Sequence, residues 1–129
     1  MLNRSGITKE TAVAPSQILF NVQNQMSVGV IVNKTVGTAG EDGRKIVKAG
    51  TPLNGDLTAC GTAFVAAKDT SNPAVGVLLH DVDVTDGDAN GTLLIWGFVN
   101  LNRMDSTTAG LITANRKTEL AGRVWFLKD

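Results

Sequence analysis

Few residues in this chain could carry reactive chemistry. It contains one histidine and one cysteine, so His80 with Cys60 is the only pair from which a base and a thiol nucleophile could be drawn. Cys60 lies in the small, apolar, glycine-bounded stretch Ala59–Lys68 and reads as a buried hydrophobe. His80 closes an apolar run and reads as a hydrogen-bonded rim residue, with Asp81 turned to the opposite face if the strand continues. No catalytic residue is expected. Asp86, Asp88 and Asn90, followed by Gly91, match the opening D-x-D-x-N-G of a calcium loop, whose alternate oxygen ligands could surround Ca²⁺. The twelfth position is Gly97, where the pattern calls for a bidentate glutamate, and the flanks read as strands. A solvated hairpin loop is therefore the expectation, and a calcium-dependent adhesive or carbohydrate-binding β-domain is the alternative. No glycine-rich phosphate loop, CxxC or HExxH spacing occurs, so no metal or other cofactor is expected.

The elements that position these residues are mostly strands. Fourteen glycines, only six aromatic residues and many Val, Thr and Ala predict short strands joined by tight turns. At 129 residues the chain suits one domain, and 43% hydrophobic residues are enough to build a core. Zero net charge disfavours nucleic acid and anionic membranes as partners, and no apolar run is long enough to cross a bilayer. Residues 1–16 read as a flexible N-terminal arm and residues 17–129 as one β-rich domain. Alternating apolar residues from Ile18 to Val32 predict two strands or one bulged strand. Lys45–Leu53 is a short strand running into a turn, and Ala74–Leu79 is a central strand buried on both faces. Asp81–Gly91 is an acidic loop, and Thr92–Leu101 returns to complete a long hairpin. One helix is expected over Thr107–Leu120, ended by Gly122, with a final strand at Val124–Leu127. The fold class is mostly β, α+β in form. Trp96, Phe98 and Trp125 are expected as core or subunit-interface anchors.

Three segments together carry a resemblance: Gly43-Arg44-Lys45-Ile46-Val47-Lys48-Ala49-Gly50-Thr51-Pro52-Leu53, Ala74–Thr85 (AVGVLLHDVDVT) and Gly91–Met104 (GTLLIWGFVNLNRM). Over about Gly43 to Asp129 the chain resembles tailed-bacteriophage head fibre and capsid decoration (cement) proteins, and its element order resembles the lambda-type head decoration protein. The resemblance implies a compact, non-enzymatic homotrimer made in the bacterial cytoplasm. It would bind the major capsid protein lattice on the outside of the expanded head and stabilise it against packaged DNA. On that reading Ile7, Thr8, Thr11, Ala12, Val13, Ala14 and Pro15 of the arm would dock on the capsid, in the manner of strand addition. Trp96, Phe98 and Trp125 would anchor the trimer. A host-surface glycan is a further partner for which the residues offer no specific support. The acidic loop is longer than the family's corresponding turn.

Overall fold

The computed structural model describes residues 18–19, 25–68 and 71–128. Among these residues the strands are β1 (Met26–Val32), β2 (Ile46–Val47), β3 (Pro52–Asn54), β4 (Val65–Ala66), β5 (Gly76–Leu78), β6 (Val82–Asp83), β7 (Ala89–Asn100) and β8 (Val124–Leu127). Two short helices, α1 (Ser106–Ala109) and α2 (Ala114–Glu119), separate the last two strands. The mostly-β reading holds.

Five strands run in the order β1-β7-β5-β3-β4, all antiparallel. Phe64, just before β4, then bridges to Val32 of β1, exchanging Phe64 N–H to the Ile31 carbonyl at 2.7 Å and Asn33 N–H to the Phe64 carbonyl at 2.9 Å. The sheet thus curls until its two ends meet at this one bridge, a small barrel joined at the C-terminal end of β1. Its interior holds Val30, Val32, Leu53, Phe64, Leu78 and Leu93, joined by Val47, Val82 and Val84 from the separate β2–β6 ribbon. Each such side chain contributes about 1.5–3 kcal/mol by leaving water. Gly55 permits the closure, because a Cβ there would lie 2.4 Å from the Phe64 ring.

A second apolar layer covers the other face. Val77, Leu94, Val99 and Val124 pack there with Ile18, Met104, Ile112 and Leu120. β5 is buried at all three positions and sits between β7 and β3, the central place expected of it. β7 and β8 pair in parallel, with Phe98 opposite Trp125.

Two expectations need correction. The single helix over Thr107–Leu120 is two helices, because Thr113 adopts extended geometry and caps α2 by accepting from Arg116 N–H, while the chain turns between Gly110 and Thr113. The break lets Ile112 face the core while Leu111 stays exposed. The stretch Asp81–Gly91 is only partly loop: β6 pairs with β2, and β7 already begins at Ala89. Between them Thr85 hydroxyl and N–H donate to Asp83 Oδ1 at 2.5 and 2.9 Å, a local turn that needs no ligand.

Candidate functional site

The most distinctive surface grows from one irregularity in β7. Met26 of β1 pairs with Trp96 but Ser27 pairs with Leu94, so Ile95 is an extra residue on β7. A bulge of this kind reverses the alternation of faces. Leu94 and Val99, an odd number of positions apart, therefore point into the same layer. Trp96 and Phe98 are turned to the opposite face, and at the end of β7 the neighbouring strand there is β8. Trp125 arrives beside Phe98 through the parallel register.

The three rings form one cluster. Phe98 and Trp125 stack with centroids 5.0 Å apart and planes 21° from parallel. Trp96 stands edge-on to both, 6.1 Å from each, at 69° to Phe98 and 90° to Trp125. Trp96 is 40% exposed, Trp125 37%, Met26 58% and Leu127 42%. Met26 is the cross-strand partner of Trp96, and Leu127 lies two positions beyond Trp125 on the same side of β8. Only Leu57 and Leu111 among the described large hydrophobics are comparably exposed, and they lie elsewhere. Of the two expectations for Trp96 and Trp125, core or subunit-interface anchor, their exposure fits a surface position and not the core, and the bulge explains why. Trp96 stands edge-on to the stacked Phe98–Trp125 pair, so the three rings do not form one coplanar platform.

The other candidate residues are dispersed. Cys60 is half-buried, not buried, and its Sγ donates to the Leu57 carbonyl at 3.3 Å. His80 is exposed and makes no hydrogen bond with the described residues, so the rim hydrogen bond expected of it is absent there. Asp81 Oδ1 accepts from Ala49 N–H at 2.8 Å, and its other oxygen is 3.7 Å from Lys48 Nζ. In the D-x-D-x-N-G stretch, Asp88 Oδ1 accepts from Lys34 N–H at 2.8 Å, and Asn90 is a ladder residue opposite Ile31. Gly91 is no loop glycine: a Cβ there would press on Val32, Val82 and Leu78 at 3.0–3.1 Å. Among the described residues no three His, Cys, Asp or Glu side chains are placed to hold a metal. The arm residues Ile7, Thr8, Thr11, Ala12, Val13, Ala14 and Pro15 lie outside the described residues.

Two charged groupings escaped the sequence reading. Arg116, 3% exposed, pairs through Nη2 with Glu119 Oε2 at 2.9 Å, and Glu119 Oε1 accepts from Ala74 N–H at 2.7 Å. An arginine between Ile112 and Leu120 at four-residue spacing was the available signal. The second is Arg44 with Asp83, 2.9 Å apart, which fastens the turn before β2 to β6. The Thr85 hydroxyl and amide, followed by Arg44, lower the Asp83 carboxyl from 3.8 to about 2. A depressed carboxylate favours the folded state above its unfolded value near 3.8, and that contribution disappears as pH falls through about 2. Carboxyl-carbon NMR should show Asp83 titrating near pH 2, with loosening of the β2–β6 ribbon confined to the window between pH 4 and 2. A midpoint near 4 would mean that Thr85 does not hold the carboxylate in solution.

Compared with known proteins, the chain matches no family model and no curated protein sequence.

Proposed function

We propose that this protein is a structural subunit of a tailed-phage head, attaching in multiple copies to the outer surface of the capsid and reinforcing it. The observation that carries the reading is the face on which exposed Met26, Trp96, Trp125 and Leu127 surround the half-buried Phe98 at the end of β7. A contiguous apolar patch of this kind is a place for a protein partner. Its occupant, on this reading, is a second copy of the same chain, in a homotrimer.

The function follows from geometry and multiplicity. Three copies joined through the aromatic face present three lattice contacts at once, so weak individual contacts hold durably through effective concentration. A ligand that binds only the intact lattice stabilises that lattice by mass action. Residues Met1–Ser16 supply the contact to the major capsid protein.

Sedimentation with undecorated heads tests this directly. The full chain should cosediment and should have a trimer's mass in solution or on the head. Deleting Met1–Ser16 should abolish cosedimentation and leave the melting temperature unchanged. Equal attachment by the shortened chain would remove the arm from the reading, and no attachment by the full chain would remove the reading itself.

A further inference from the structure

Two strand edges stay open on either flank of the aromatic face. In β1 the Ile31 carbonyl accepts from Phe64 N–H at 2.7 Å, so by alternation the N–H and C=O groups of Gly29 and Ser27 also point away from β7. In β8 the Arg123 carbonyl accepts from Gly97 N–H at 2.9 Å, so Val124 and Phe126 turn theirs away from β7. Val124 N–H is taken by the Leu120 carbonyl at 3.0 Å. No described residue bonds to the outward N–H and C=O of Ser27, Gly29 or Phe126. The two edges lie on opposite sides of β7, because Trp96 faces β1 and its neighbour Gly97 faces β8. Neither edge carries a charge or a proline, the residues that usually blunt an exposed strand. Gly29 is exposed, and a Cβ there would meet nothing within 4 Å, so the middle of the β1 edge is bare.

We infer that the outer edge of β1 in one copy pairs with the outer edge of β8 in the next, an inference that rests on the homotrimer proposed above and names its contact. Symmetry asks for two different surfaces. A ring of three closes through a heterologous contact, one patch of a copy on another patch of its neighbour, whereas an edge paired with itself makes a two-fold dimer. β1 and β8 supply two such edges, unlike in sequence and on opposite flanks of β7. Both border the apolar face, since Met26 belongs to β1 and Trp125 and Leu127 to β8. The direction of pairing follows as well. Rotation about a three-fold axis preserves each strand's direction along that axis, and β1 runs against β7 while β8 runs with it, so the contact is antiparallel. In that arrangement Gly29 or Ser27 can exchange both backbone bonds with Phe126 of the next copy. The backbone ladder gives register, and the exposed rings beside it give burial.

Residue-resolved amide hydrogen exchange tests the pairing on the full chain, compared between concentrations at which it sediments as a trimer and as a monomer, with heads added if the trimer forms only there. The amides of Gly29 and Phe126 should exchange at least about tenfold more slowly in the trimer. Gly29→Pro removes the outward donor, and proline is tolerated on an edge where its missing N–H faces away from the neighbouring strand. That variant should stay folded and lose affinity between copies at least about tenfold, whereas Gly29→Ala, which keeps the N–H, should retain the trimer's mass. If Gly29→Pro does not fold, the exchange of the unmodified trimer decides. A trimer whose Gly29 and Phe126 amides exchange as fast as the monomer's, or a folded Gly29→Pro chain with undiminished association, overturns the edge pairing and leaves the homotrimer standing. A full chain that is monomeric both in solution and on the head overturns the homotrimer, and the edge pairing with it.

Discussion

On the proposed homotrimer reading, replacing Trp96 and Trp125 together by alanine is expected to yield monomers and to abolish cosedimentation with heads, while the domain stays folded. The two rings are 40% and 37% exposed, so their removal takes little from the barrel interior or from the layer around Leu94 and Val99. At a protein interface, truncating a central aromatic anchor costs about 2–4 kcal/mol, a factor of about thirty to a thousand in affinity. The two effects will not simply add, because the rings touch Phe98 and each other. Met26→Ser should produce a smaller loss in the same direction, since its side chain lies beside Trp96 across the bulge. Leu111→Ser is the control: it is 47% exposed but belongs to the turn between the helices and should leave assembly unchanged. Light scattering and sedimentation read the mass, and thermal melting reads the fold. A tryptophan-less variant that retains the original mass would show that the copies meet elsewhere.

What the sequence made legible follows from where its signals are local. The continuous apolar run Ala74–Leu79 reads as a doubly buried strand because burial on both faces demands that composition. The strands around residues 26–32, 89–100 and 124–127 follow from β-branched and aromatic residues between turn formers. Barrel closure is different, since it depends on Phe64 reaching β1 across more than thirty residues, and the permissive Gly55 looks like any turn glycine. The outward turn of Trp96 was likewise hidden. Alternation alone would place it with Leu94, and only the pairing of Met26 and Ser27 shows that Ile95 is an inserted residue. The three aromatics could be grouped by type but not by face.

The largest stability loss is expected at the buried pair that places β8, and through it Trp125. Arg116 and Glu119 join α2 to Ala74 at the entry to β5, and Arg123 adds a bond from Nη2 to the Glu119 carbonyl at 2.7 Å just before β8 begins. Glu119→Leu should cost about 3–5 kcal/mol, because Arg116 is then left charged at 3% exposure with no carboxylate beside it. Its Nε already lacks a hydrogen-bond partner, so that guanidinium has nothing in reserve. Arg116→Met in the Glu119→Leu background should recover most of the loss, since it removes the stranded charge and the orphaned Nε together. It should not recover all of it. Ala74 N–H would still have lost the Glu119 oxygen at 2.7 Å, leaving a deficit of about 1–3 kcal/mol for an unsatisfied backbone donor. Glu119→Gln separates the two contributions, because its amide oxygen can keep the bond to Ala74 while the charge is gone. Urea unfolding of Glu119→Leu, Arg116→Met, the two combined and Glu119→Gln, each against the unmodified chain, gives the cycle. If Glu119→Leu alone costs less than about 1 kcal/mol, Arg116 is reaching water in solution, α2 is not fastened to β5 through this pair, and the position of Trp125 must depend on the β7–β8 ladder alone.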